Sequence, residues 1–374
     1  MASEVIIMRM GDVINLQDEV NFDNASYPVL GLNKDKSFMP TVANLSEVNL
    51  QKYKIVKKGW FAYSGMQTGR DECIRIAHYS AEHPALISPA YTTFTIKTEV
   101  KGHKISPDYV FMIFNREESD RYGAFISDSS VRANLDWPRF CDIEIPVPDI
   151  ETQQRLVDVW SGLDRMKQDS VAQAAPLMGL CMSYLKKLRE EYPLVSIGQF
   201  ISEFDSRNSQ NSKYPVLGLN KEKIFIPTAA NLEGVDLKKY KVVQSGNFVF
   251  SGMQTGRDVC IRLSLYTEAT PALISPAYTM FNIDREKIVP EYFYLQFLRG
   301  EMDRYGAFIS DSSVRANLDW SRFQDIAIPS PPKAIQQAIV DIYTCAKECR
   351  DIAEQADGLR RVAGPALMQK AIHP

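Results

Sequence analysis

Short apolar runs broken by glycine, proline and asparagine open each half of the chain. Val5-Ile6-Ile7, Tyr27-Pro28-Val29-Leu30 and Gly59-Trp60-Phe61-Ala62-Tyr63 are runs of this kind, and they predict strands joined by tight turns. Pro107–Phe114 and Pro290–Leu298 differ: a proline and an acid precede an apolar stretch, the usual opening of a helix. Each half is therefore expected to carry a β-rich head of mixed α and β structure. The heads close on extended stops, Ile145-Pro146-Val147-Pro148 and Ile328–Pro332, and no turn signal follows for more than twenty residues. Ile150, Leu156, Val157, Trp160, Leu163 and Met166 then recur at helical spacing, as do Ile335, Ile339, Ile342 and Tyr343. Helices of about 40 residues would be roughly 60 Å long, more than a small head needs for its own cover. An antiparallel pair acting as a coiled-coil spacer accounts for that length. Pro176 with Gly179, and Gly364 with Pro365, suggest a kink or break in each helix. The expected fold class is α+β, with heads over residues 1–148 and 192–331 and spacer helices over 149–191 and 332–374.

The halves are copies. Tyr27–Asn33 recurs unchanged as Tyr214–Asn220, Ser64–Asp71 as Ser251–Asp258 and Pro84–Tyr91 as Pro271–Tyr278, all at a spacing of 187 residues. After a four-residue deletion, the eighteen residues Asp120–Trp137 reappear as Asp303–Trp320. A period this long is a tandem pair of whole domains and not a solenoid. The helical segments match far less well than the heads. Either the duplication has had little time to diverge, or both heads read the same thing.

The composition, 45% hydrophobic and 24% charged over 374 residues, provides for two cores. The N-terminus resembles no signal peptide and no apolar run spans a bilayer, so a cytoplasmic protein is expected. Six cysteines form no C-x-x-C pair, which points to reduced, buried thiols and to no metal site. A net charge of −3 argues against a chain that grips nucleic acid unaided. A local basic face or a basic partner would resolve this.

The loop Gly65–Arg70, repeated as Gly252–Arg257, offers Gln67, Thr68 and Arg70 (Gln254, Thr255 and Arg257), side chains suited to adenine, to either base and to guanine edges. An ordinary hairpin turn is the plainer reading. A second candidate runs from Arg121 to Asn134 and from Arg304 to Asn317. There Ser129, Ser130, Arg132 and Asn134 (Ser312, Ser313, Arg315 and Asn317) supply donors for phosphates and base edges. The alternative is a domain-closing loop whose serines cap a helix and whose arginine pairs with Asp120 or Asp136. Lys52, Lys54, Lys57 and Lys58, with Lys238, Lys239 and Lys241, could approach phosphates or form a solvated face. Enzymatic readings find no methyltransferase Asp/Asn-Pro-Pro-aromatic motif, no dinucleotide loop and no histidine common to both heads. Glu99-Val100-Lys101 imitates the end of a nuclease motif by chance. No cofactor is expected.

Taken in order, Gly11, Tyr27–Asn33, Lys58-Gly59-Trp60-Phe61, Ser88–Tyr91, Ser130–Leu135, Ile145–Pro148 and Gln153-Gln154 resemble Type I restriction–modification specificity subunits. The closing run, Ile-Pro-x-Pro followed by Gln-Gln and a long helix, occurs twice, ending at Gln154 and at Gln337. The resemblance implies a non-catalytic subunit with two target-recognition domains, each reading half of a split sequence in double-stranded DNA. It also implies helices, starting around Gln153, Gln154, Gln336 and Gln337, that bind two methyltransferase subunits, with nuclease/translocase subunits as further partners. The heads of such subunits usually differ, whereas these agree, so related heads would see an inverted repeat with half-sites on the order of 34 Å apart. Two rivals stand beside this reading: the recognition part of a Type IIB/IIG-like fusion, and a decoy that binds methyltransferase subunits without reading DNA.

Overall fold

The apolar runs form strands because their side chains can alternate between a core and the opposite face of a sheet. Ile6–Arg9, Val29–Leu32 and Phe61–Ser64 are strands, as their patterns predict. The computed structural model describes residues 5–311 and 313–372. In the first head, Ile14–Gln17, Thr92–Ile96, Phe61–Ser64 and Arg75–His78 lie side by side in that order as an antiparallel sheet. A second sheet runs Phe38–Pro40, Val29–Leu32, Ala85–Ile87, Lys54–Val56, with one parallel pair, Val29 facing Leu86. Ile6–Arg9 pairs with Glu144–Val147 and closes the head on itself.

The second head repeats both sheets and their registers, Val216 facing Leu273 where Val29 faces Leu86. The four-residue deletion removes the small hairpin Glu99–Val100/His103–Lys104, which includes the residues that imitate a nuclease motif. Both proline-led helices form, Pro107–Phe114 and Pro290–Phe297. Only the first has a side-chain cap, Ser106 accepting from Tyr109 N. Their apolar faces complete cores built around Phe61, Phe94, Phe114 and Phe140, and around Phe248, Phe281, Phe297 and Phe323.

The long helices span Ile150–Glu191 and Lys333–Ile372, and the first passes through Pro176 without interruption. Their expected stripes are only partly inward. Leu156, Val157 and Ile339 are buried, but Ile150 and Met166 face solvent. Contacts divide the chain into two compact units, residues 1–170 with 352–374, and residues 171–351. Each unit is thus one head with part of both long helices. In the first unit Asp164 meets Arg360 at 3.0 Å and Lys167 meets Asp357 at 2.7 Å, so the helix segments there run antiparallel. All six cysteines are free thiols, but the expectation of burial fails for Cys345, which is exposed.

One core position departs from the pattern. Gln296 is fully buried, and neither its amide oxygen nor its nitrogen has a partner among the described residues. The same position in the first head is Ile113. Gln296→Ile is expected to stabilise the second head by about 1–3 kcal/mol, because it removes two desolvated polar groups and keeps the side chain's bulk. A higher urea midpoint checks this, and a lower one would show that the amide is satisfied.

Candidate nucleic-acid interface

The strand Phe61–Ser64 leads into Gly65, whose carbonyl accepts from Leu135 N at 2.8 Å. Gly69 N donates to Ala133 O at 2.8 Å, Gln67 N to Asn134 Oδ1 at 2.9 Å and the Tyr63 hydroxyl to Leu135 O at 2.6 Å. Such close approach needs glycine: a Cβ on Gly65 would stand 1.7 Å from Leu135 O. In the second head, Gly252 O accepts from Leu318 N, Gly256 N donates to Ala316 O and Gln254 N to Asn317 Oδ1, at 2.8 to 2.9 Å. What the sequence offers as two candidate segments is therefore one surface in each head.

Asp120 fixes the start of the second segment. Its Oδ1 accepts from Lys36 Nζ at 2.5 Å and from Ile74 N at 2.8 Å, and Lys36 is itself buried. Lys223 and Ile261 N repeat these contacts to Asp303 at 2.6 and 2.8 Å. Further along, Asp128 N donates to Asn134 O at 2.8 Å. The Asp128 carboxylate accepts from Ser130 Oγ at 2.5 Å and from the N–H groups of Ser130 and Asn134 at 3.0 Å. The Ser130 hydroxyl and then those N–H groups hold this carboxyl below the ordinary aspartate range, so the loop keeps its tie down to acidic pH. Ala133 N closes a turn onto Ser130 O at 2.9 Å, leaving Val131 and Arg132 as its two central residues. Asp311, Ser313, Ala316 and Asn317 make the same loop in the second head, with Val314 and Arg315 at its tip.

Exposure sorts the expected DNA contacts. Arg70, Arg121, Ser129, Ser130 and Arg132 are exposed, as are Arg257, Arg304, Ser313 and Arg315; Ser312 lies outside the described residues. Arg132 and Arg315 have no ion-pair partner among the described residues. Asp120 pairs with Lys36, and Asp136 caps the helix Trp137–Cys141 and pairs with Arg139. Neither acid holds Arg132, and it is an aspartate and not a serine that caps the helix. Thr68 and Thr255 must be withdrawn as contact residues: both are fully buried, with their hydroxyls turned onto Gly65 O and Gly252 O. Gln67, Gln254, Asn134 and Asn317 are half-buried, and each contributes a bond that joins the two segments.

Apolar side chains on this surface escaped the sequence reading. Phe125 and Phe308 are 84% and 83% exposed, Val131 and Val314 fully so, and Met66 and Met253 stand out beside the glycine loop. Their signal was membership in the invariant runs. Comparing the heads sharpens the point. At buried positions Tyr63 is replaced by Phe250, Ala62 by Val249, Ile76 by Leu263, Thr93 by Met280 and Met10 by Ile197. The exposed Met66, Arg70, Arg121, Tyr122, Phe125, Ser130, Val131 and Arg132 have not changed. Buried members of the same runs, Thr68 and Leu135, are unchanged with them, as Thr255 and Leu318, so it is the two segments as a whole, exposed side chains included, that the heads share.

The lysines stay open between phosphates and a solvated face, while the glutamines need correction. Several lysines are already neutralised: Lys54 by Asp18 at 2.9 Å, Lys57 by Glu19 at 2.6 Å and Lys58 by Glu82, while Lys241 is buried and donates to Tyr278 O. Gln153 and Gln336 are fully buried and cannot meet a partner. Gln153 accepts from Ser106 N at 2.8 Å and donates to Lys104 O at 2.9 Å and Pro148 O at 2.8 Å. Gln336 accepts from Val289 N and donates to Pro331 O, both at 2.8 Å. These amides tie each helix to its head. Gln154 and Gln337 remain exposed, each bonded to an aspartate one turn on, Asp158 and Asp341. Among the described residues no helix is long and apolar enough to cross a membrane.

No family model and no curated protein sequence matches the chain. Solved structures do. The chain is similar to the Type I restriction–modification S subunit from M. genitalium, at 12% identity and a TM-score of 0.61, over 99% of this chain and 96% of that one. The HsdS subunit from Thermoanaerobacter tengcongensis aligns at 14% identity and a TM-score of 0.43, over 98% and 96%. The first of these shows a shared fold along nearly the whole of both chains, an α+β architecture with β-rich halves and long helices.

Proposed function

We propose that this chain is the DNA-specificity subunit of a Type I restriction–modification system. Its heads recognise the two halves of a bipartite, palindromic site, and its long helices carry two methyltransferase subunits and, through them, restriction subunits. The observation that carries the reading is the exposed surface around Arg70 and Arg132, unchanged as Arg257 and Arg315 although several buried positions of the heads differ. A pair of readers selected for the same half-site would keep their reading surface and let packing vary. The fold shared with the M. genitalium subunit supports the same conclusion. Arg70, Arg121, Arg132, Ser129 and Ser130 and their copies contact DNA, and Gln67 and Asn134 hold the loops that present them. The subunit carries no catalytic group. The net charge of −3 is met by basic partner subunits, which supply phosphate contacts that the heads lack. Gln154 and Gln337 lie on the helix faces left open to those partners.

The test is to co-express the chain with the methyltransferase subunit encoded beside it and to map adenine methylation across the host genome. A gapped palindrome is the expected motif. Replacing Arg70 and Arg257 together with alanine is expected to relax or abolish it, since each good base-edge contact discriminates by about 1–3 kcal/mol. A gapped asymmetric motif would overturn the equivalence of the heads. No methylation from a stable complex would favour the decoy.

A further inference from the structure

Val131 and Val314 are the least explained side chains in the molecule. Each is fully exposed at the centre of a closed turn, beside an arginine with no ion-pair partner among the described residues, in loops tied down by Asp128 and Asp311. A β-branched side chain gains nothing from water, and the described residues of its own head leave it fully open. The loop is already ordered, so little conformational freedom is lost when it docks. Phosphates explain the arginines but not the valines, which would lose solvent contact against an anionic backbone for no return. A duplex offers a short aliphatic side chain one exposed apolar group in its major groove, the C5 methyl of thymine. The longer apolar side chains used to wedge apart base steps in the minor groove reach further than valine does. Arginine next to it is the side chain that pairs in bidentate fashion with guanine O6 and N7.

We infer that the turn tips Val131-Arg132 and Val314-Arg315 are base-reading elements. In each half-site the valine packs on a thymine methyl and the arginine takes an adjacent guanine. This deepens the DNA-recognition reading above and rests on it. Because both tips are identical, the same thymine–guanine neighbourhood occurs in both half-sites.

The experiment uses the full chain assembled with its methyltransferase subunits, and a synthetic duplex carrying the motif found by methylation mapping. Each thymine is replaced in turn by deoxyuridine, which removes only the C5 methyl. At one thymine per half-site, next to a guanine, the substitution is expected to weaken binding about fourfold, the effect of one buried methyl. Val131→Ala with Val314→Ala should make the complex indifferent to uracil at that position. Arg132→Ala with Arg315→Ala should relax the preference for the neighbouring guanine by about tenfold or more. The inference is overturned by tolerance of uracil everywhere, by a uracil penalty that survives the valine replacements, or by half-sites with no thymine beside a guanine. Wild-type complex that binds no duplex at all would instead remove the DNA-recognition reading, and this inference with it.

Discussion

Alanine in place of Gly252 is expected to cost the second head about 3 kcal/mol or more and to free the two joined loops before the rest of the head. The added Cβ would stand 1.7 Å from Leu318 O and 2.8 Å from its carbonyl carbon. Both are backbone atoms, so no flexible side chain can swing aside. Relief requires the two segments to separate, which breaks the bonds from Leu318 N to Gly252 O, Gly256 N to Ala316 O and Gln254 N to Asn317 Oδ1. Amide hydrogen exchange at Leu318 and Gly256 measures this locally, and their protection should collapse while that of the strand Thr279–Ile283 persists. Gly179→Ala is the control: its added Cβ meets open space in the middle of a helix, so it should stabilise by about 0.5–1 kcal/mol. A loss below about 1 kcal/mol at Gly252 would mean that the loops are not locked together as described.

Gln336→Leu is expected to destabilise by about 2–4 kcal/mol, and Gln153→Leu by at least as much. Leucine fills the space but leaves Val289 N and Pro331 O, or Ser106 N, Lys104 O and Pro148 O, buried without those partners. The adjacent Gln154→Leu and Gln337→Leu should change stability by less than about 0.5 kcal/mol, since both side chains are exposed. The contrast within each pair is read from urea unfolding, with binding of the methyltransferase subunit measured in parallel. Equal effects within a pair would remove the role assigned to the buried amides.

Gln153-Gln154 shows where sequence reading runs out. Neighbouring residues on a helix point about 100° apart, so one glutamine faces the head and the other faces solvent, and the dipeptide does not say which. The strands were legible because Val29–Leu32 and Phe61–Ser64 sit in short apolar runs between turn residues. The helices were legible from their length and spacing, although Met166 and Ile150 show that spacing alone overstates burial. At the candidate site, the invariant runs supplied both segments. Their union through Gly65 and Leu135 was hidden because it is a contact between residues remote in sequence. Thr68 looked like a base reader by residue type and is a buried turn residue by position. Phe125 and Val131 are apolar by residue type and surface by position. Residue type suggests the chemistry, whereas the backbone decides which way a side chain faces.

The way the compact units share the long helices also bears on how the protein is made. The first unit includes residues 352–374, with Asp357 and Arg360 reaching Lys167 and Asp164. A ribosome delivers the first head long before the helix segment that completes its unit, which emerges only after the second unit. The second unit, residues 171–351, is contiguous and can close as it is synthesised. Translation order and completion order are therefore reversed: the half made first waits, partly unpaired, for the half made second. A premature stop near residue 351 would injure the front of the chain and spare the back.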